Sequence, residues 1–399
     1  MEEKKKIRLS NKLYPYFFGL SGDLLFWIAI NTIFLTNVKG LSAFQISSLT
    51  TIGTLSSILS YPFVFKIIKK LGNIASIRIG TVLLLVAAVL MTFSNSYIGL
   101  SIGHILYYIS FFFKSMENVI LKKNLTAEFR SDDYMKIQNK GSLIYSLLTM
   151  IIAFVSGYIY SFNNYLPMII CIVICIINVF LSFLLYEHSG DNIDSYVISK
   201  KIKFTKLVLL ILGLYALTGA VIDLGHDNTK LFMQYELSTF LDSNNVAIYL
   251  SWIIALSRIA RVVGVMFFTR LCSNKTERIL TNVGYVLVFA FILIIMGGIY
   301  SLELFSVILM ALGFFIFLGV RDTFVNCIKT VLLNNCDEAL HEKAITYLSL
   351  SKTFSKFLIS ALISLLLLKT SMIYVMVLLL VVCIINIVII KRIIKMLEV

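Results

Sequence analysis

Residues 141–186 read GSLIYSLLTMIIAFVSGYIYSFNNYLPMIICIVICIINVFLSFLLY, 46 positions without one charged side chain. A helix needs about 20 apolar residues to cross a bilayer core, so the stretch is long enough for two crossings. Its one polar interruption, Asn163-Asn164-Tyr165-Leu166-Pro167, is a turn signal. The reading is two membrane-spanning helices and a tight hairpin, and the chain on either side repeats it. Uncharged runs at 40–65, 79–103, 279–302 and 370–390 are also long enough to cross. With the interrupted runs filled in, twelve spans are expected, at 13–37, 43–66, 75–94, 97–121, 141–162, 166–186, 206–238, 245–269, 279–299, 303–328, 350–368 and 371–391.

The composition agrees. Of 399 residues 59% are hydrophobic and 14% charged, with a mean hydropathy of +0.92, whereas soluble domains are about 25% charged. A soluble enzyme, a disordered chain and a nucleic-acid binder are excluded. The net charge of +14 raises the question of a polyanion partner, and the placement of the cations answers it. On the twelve-span layout 25 Lys and Arg fall at the termini and alternate loops, against two, Lys39 and Lys369, on the other side. By the positive-inside rule both termini are cytoplasmic. The first apolar stretch follows basic residues as a signal peptide would, but it holds Asp23, lacks a small-residue cleavage site and runs too long. It is expected to be retained as span 1.

The polar segment 187–205 divides the chain into an N-terminal six-helix bundle (1–186) and a C-terminal one (206–399), with a cytoplasmic linker between them. The halves resemble each other at an offset of about 200: Lys70-Leu71-Gly72-Asn73 matches Arg270-Leu271-Cys272-Ser273, Lys114 falls opposite Arg321, and Arg130 to Lys136 falls opposite Asp337 to Lys343. Duplicated bundles place a solute site between the halves.

Here the whole chain resembles the major facilitator superfamily, whose loop after span 2 carries the signature G-x-L-A-D-R-x-G-R-K. Set on Gly72, this chain reads Phe65-Lys66-Ile67-Ile68-Lys69-Lys70-Leu71-Gly72-Asn73-Ile74; Gly72 and Lys70 agree, Lys69 replaces the acid and Phe65 the first Gly. The family's Gly-Pro-rich drug-antiporter run in span 5 is absent, since Phe154-Val155-Ser156-Gly157-Tyr158 has one Gly and no Pro. Gly22-Asp23-Leu24-Leu25-Phe26 and the Lys39-Gly40-Leu41-Ser42 turn look like those of facilitator-type permeases of low-GC Gram-positive bacteria. The resemblance implies an all-α polytopic membrane fold, alternating access, and a cavity lined by spans 1, 4, 7 and 10.

Charges inside the spans cluster on those helices, and spans 5, 6, 9 and 12 hold none away from their ends. Span 1 holds Asp23; span 4 holds His104, Lys114 and Glu117; span 7 holds Asp223, His226, Asp227, Lys230 and Glu236; span 10 holds Arg321 and Asp322. An ionisable group facing lipid costs at least ~2.5 kcal/mol near the bilayer centre, so these groups should cluster where water or partners reach them. Asp23 lies 11 residues past Lys12, near mid-membrane. It is a candidate proton-coupling residue, or else a structural Asp that pairs with a cation or caps a helix break after Gly22. Asp223 and Asp227 are further coupling candidates. Span 7 is too long for a ~30 Å core, and the interruption Asp223 to Lys230 predicts a break with Gly225 as the soft point, serving as a gate or as a solvated outer extension. Lys114 and Glu117, at i and i+3, could neutralise each other; Lys114 and Arg321 could hold an anion, or latch a cytoplasmic gate with Glu117 and Asp322. Arg258 and Arg261 could contact an anion or pair with Asp223 or Asp227. Asn31, His104, His226, Lys230 and these cations are the substrate-cavity candidates, and Lys69, Lys70, Gly72 and Arg270 mark the loop signature. Trp27, Tyr107, Tyr108, Tyr145 and Trp252 are expected mostly in the core or facing lipid.

The six cysteines show no metal or disulfide spacing, and His188 and His341 are isolated loop residues, so no enzyme, metal or cofactor is expected. A secondary transporter is, with a small-molecule substrate and protons as partners in the bacterial cell membrane, no nucleic acid, and a monomeric state. Export of an amphipathic or polar compound is preferred; uptake of an organic anion or sugar, and flipping of a lipid-linked substrate, are the alternatives.

Overall fold

The computed structural model describes residues 2–188, 205–271, 276–300, 304–335 and 341–397. In chain order its helices are α1 (Glu2–Ser21), α2 (Trp27–Ile33), α3 (Ala43–Leu71), α4 (Asn73–Phe93), α5 (Tyr97–Lys114), α6 (Met116–Ala127), α7 (Tyr134–Phe162), α8 (Leu166–Leu184), α9 (Lys206–Leu237), α10 (Ser243–Leu271), α11 (Thr276–Ile299), α12 (Leu304–Asn334), α13 (His341–Leu367) and α14 (Met372–Leu397). Among the described residues there is no strand. Ten helices, α3, α4 and α7 to α14, are long and apolar enough to cross a membrane. The remaining two spans are each divided: span 1 into α1 and α2, the latter continuing as a π-helical turn over Phe34–Val38, and span 4 into α5 and α6 at Ser115. This is the all-α, twelve-span plan. Phe63, Phe180 and Leu365 are more than 60% exposed, a liability in water and the expected lipid contact in a bilayer.

The break expected in span 7 is in span 1 instead. Helix α9 runs unbroken through Asp223 to Lys230 for 32 residues, about 48 Å at ~1.5 Å per residue. Its Gly225 is a close-approach glycine: a Cβ there would stand 2.9 Å from Cζ of Phe291 on α11. In span 1 the chain leaves the helix over residues 22–26. Asp23 Oδ1 accepts the backbone N–H of Leu24 at 2.7 Å, the local competition by which Asp unseats a helical ladder. A Cβ on Gly22 would meet the Tyr145 ring at 2.7 Å, so only glycine fits beside it. Irregular backbone at membrane depth persists where protein or a watery cavity covers it. At Ser115, Oγ donates to the Phe112 carbonyl at 2.6 Å, the back-bonding that bends helices.

Two compact units form. The first comprises Met1–Phe34, Ile52–Asn192 and Ala247–Ala255; in it α1 packs on α6, α7 and α8, and α4 packs on α5 and α8. The second comprises Leu35–Thr51, Ile193–Val246 and Leu256–Val399; in it α9 packs on α12, α13 and α14, and α11 packs on α12 and α14. Counted by span, the pairing scheme is the same six spans later. The segment Arg130 to Lys136 is a 3-10 turn over Ser131–Asp133 followed by the first turn of α7. There Arg130 pairs with Asp133 at 2.7 Å, and both Arg130 and Arg8 reach Glu128. Most of its counterpart, Asp337 to Lys343, and residues 189–204 of the linker lie outside the described residues.

Candidate functional site

Within the spans of the first unit charged side chains are few, and the ion pairs Arg8–Glu128, Arg130–Asp133 and Lys123–Glu187 lie at their ends and in the loops. Tyr107 on α5 donates its hydroxyl to Asp23 Oδ1 at 2.5 Å, so one carboxylate oxygen serves both the broken backbone and a phenol. Tyr107, grouped with core and lipid-facing aromatics on sequence, is therefore a polar partner of Asp23. Trp27 is buried with its ring edge-on to His104, 5.7 Å between centroids, and His104 Nδ1 lies 3.0 Å from the Leu100 carbonyl. Asn31 turns its Oδ1 to the N–H of Thr32 at 2.9 Å. Trp252 is partly exposed beside Tyr158.

Lys114 and Glu117 are both buried, yet the neutralising contact expected between them does not close. The turn at Ser115 separates the helices that carry them. Lys114 instead lays its stem over Gly80, where a Cβ would meet Cγ at 2.9 Å, and sets its ammonium 4.8 Å from the centroid of the Phe111 ring. Glu117 and Asp23 are within its electrostatic reach. Glu117 Oε2 is buried with no hydrogen-bond partner among the described residues.

The second unit is ionic. Asp223 on α9 receives Lys352 Nζ at 2.7 Å and lies 3.8 Å from Lys356 Nζ and 3.9 Å from an Arg321 guanidinium nitrogen. Asp227 takes Lys230 at 3.3 Å and His226 Nδ1 at 3.1 Å, while the His226 ring stacks on Phe314. Arg261 does not pair with Asp223 or Asp227, one of the pairings expected for it; it forks onto Asp322 through hydrogen bonds of 2.8 to 3.1 Å. Two glycines set that contact. Gly264, three residues past Arg261, lies against the backbone of Gly319, three residues before Asp322, with no room for a Cβ. Small residues let membrane helices approach this closely. Arg258 stands three residues before Arg261 on α10, with Nε buried.

Lys352 and Lys356 are the residues that sequence reasoning left out of the site. Their signal was present: i and i+4 spacing puts both on one face of an otherwise uncharged span. In the loop signature, Gly72 has φ of +82°, the left-handed region that favours glycine, and joins α3 to α4. Lys69 sits over the Phe65 ring, and the side chain of Arg270 lies outside the described residues. Cys171, Cys175, Cys327 and Cys383 are buried thiols outside any disulfide, and among the described residues no group of His, Cys, Asp and Glu could hold a metal ion.

A polytopic helical protein with charged residues gathered inside its spans and a pairing scheme that recurs after six spans is of the transporter class. The model of the Major Facilitator Superfamily matches residues 16–334, and the chain belongs to that superfamily: it is a transporter and not an enzyme. Among solved structures it is similar to the nucleoside transporter NupG, at 12% identity over 100% of both chains with a TM-score of 0.73. It is also similar to a bacterial homologue of the iron transporter ferroportin in its inward-facing state, at 14% identity over 97% of this chain and 98% of that one, again with a TM-score of 0.73. At such identities the likeness is one of fold. No curated protein sequence matches the chain significantly.

Proposed function

We propose that the protein is a proton-coupled secondary transporter that moves a small polar solute across the bacterial cytoplasmic membrane by alternating access, with both termini in the cytoplasm. The observation that carries this reading is Asp23. It is a carboxylate at mid-membrane, at a break in the helix, that accepts the Tyr107 phenol and the Leu24 N–H and lies within reach of a buried lysine. Titratable groups inside spans mark proton relays, and the two donors that reach this carboxyl, a phenol O–H and a backbone N–H, carry no charge of their own. Glu117, with an unsatisfied buried oxygen, is a second station for the same proton. Orientation rests on the 25 cations on one side against two on the other.

Export of an amphipathic or polar compound and uptake of an organic anion differ in the charge they need at the solute site. The cations about Asp223 favour the anion. The test begins with a ligand found by thermal shift on the purified protein, since binding to the folded state raises its stability. In proteoliposomes with an imposed pH gradient, that ligand should accumulate with wild type and not with Asp23→Asn. Equal gradient-driven flux in the two proteins rejects Asp23 as the coupling residue.

A further inference from the structure

We propose that α9, α12 and α13 build a binding site for the carboxylate or phosphate head of a small organic anion, and that Asp223 is the internal counter-ion occupying it. As a transport site it rests on the secondary-transport reading above; as a binding site it stands on the geometry of one unit.

One carboxylate in this unit is met by three cations, but only Lys352, at 2.7 Å, is at hydrogen-bonding distance. Arg321 stands off at 3.9 Å with its side chain 35% exposed, and among the described residues its guanidinium makes no hydrogen bond. The neighbouring residue on α12 shows what a closed pair looks like: Asp322 is held by Arg261 through three hydrogen bonds of 2.8 to 3.1 Å. Arg321 therefore presents a planar fork of five donors, the geometry that grips carboxylate or phosphate bidentately.

The cluster is built into the packing. Helix α9 packs on both α12 and α13. Gly219, one turn before Asp223, leaves the lane along which the Lys352 stem runs, with an added Cβ standing 3.0 Å from Lys352 Cδ. A structural clamp on one aspartate needs one cation. Placing Arg321 beside Lys352 leaves a local positive surplus that one Asp does not cancel, inside a span where charge is costly and where such a surplus concentrates anions. A solute head entering beside Arg321 takes over Lys352 and releases Asp223.

The test uses the full-length protein in detergent and reads thermal unfolding against succinate and glycerol phosphate, with sodium chloride at matched ionic strength and sucrose as controls. Wild type should show a saturable rise with at least one anion; a response to succinate alone or to glycerol phosphate alone identifies the head. Asp223→Asn, which keeps the shape and removes the competitor, should tighten the response about tenfold, and Arg321→Gln should weaken it about tenfold or more. Should Arg321→Gln fail to fold, Lys352→Gln serves in its place, and the gain in Asp223→Asn stands alone. The proposal is overturned if neither anion acts beyond the salt control in wild type and Asp223→Asn, or if Arg321→Gln responds as wild type does. Anion binding without gradient-driven flux would sink proton coupling and leave this site standing; gradient-driven flux of a solute by a protein that binds neither anion would do the reverse.

Discussion

Asp23 and Asp223 stand 200 residues apart in spans 1 and 7, at corresponding places in the repeat, and the two units treat the same carboxylate in opposite ways. Asp23 turns back on its own chain, accepts the Leu24 N–H and breaks the helix, and it also accepts the Tyr107 phenol. Asp223 is drawn off by Lys352, with Lys356 and Arg321 behind it, so it does not compete with the backbone and α9 stays whole. The lysines repeat the contrast. The stems of Lys114 and Lys352 each lie over a glycine, Gly80 and Gly219, but one ends over an aromatic ring and the other on a carboxylate. A duplicated helical scaffold thus carries a carboxylate that accepts a backbone N–H and a phenol in one unit and a cation-rich set in the other. The division suits a proton in the first and an anion in the second.

If that contrast is right, the second unit should respond most to loss of an ionic partner. Arg261→Met leaves Asp322 without its fork and is expected to cost about 2–3 kcal/mol in detergent thermal unfolding, less than a fully buried pair because both side chains are partly exposed. The double variant with Asp322→Leu should recover most of it; no recovery would mean that Arg261 acts through packing alone. The first unit should respond to loss of a hydrogen bond from an uncharged donor to a carboxylate, Tyr107→Phe lowering stability by about 1.5–2 kcal/mol while an equal loss in Tyr108→Phe would remove the special standing of Tyr107. Lys114→Met should go the other way. With no carboxylate closed onto it, an apolar replacement relieves desolvation, and a gain of up to about 1 kcal/mol accompanied by lost transport is expected. Destabilisation would instead assign Lys114 a structural role. The smallest effect is at Asp242, outside the spans, where hydrogen bonds from the Asn245 side chain and from backbone N–H groups hold the carboxyl below its usual range. A lowered value stabilises the folded state above the unfolded value and ceases to do so as pH falls through the folded one. Acidification below about pH 4 should therefore loosen the start of α10 in wild type and leave Asp242→Ala indifferent, as read by hydrogen exchange at Asn244 and Asn245.

The class, the span count and most boundaries were legible because crossing a bilayer needs long uncharged runs, which sequence displays directly. The helices bearing the charges were legible for the same reason. Which charge meets which was not. Spacing along α9 suggested a break at Gly225, but whether a glycine bends or merely admits a neighbour depends on Phe291, 66 residues away. Lys114 and Glu117 looked like an i, i+3 pair because the turn at Ser115 is set by a hydroxyl bond to the Phe112 carbonyl that spacing does not reveal. Lys352 and Lys356 were visible as a face of span 11, yet their meaning came only from α13 lying against α9.

On the proposed mechanism Asp23 carries the proton while the cation cluster of the second unit holds the solute. This division is tested most directly by ligand flux in proteoliposomes, with and without a pH gradient, for Asp23→Asn against wild type. Asp23→Asn is expected still to bind ligand and exchange it across the membrane without a gradient, but no longer to accumulate it when a gradient is imposed. Accumulation at the wild-type level would contradict the mechanism.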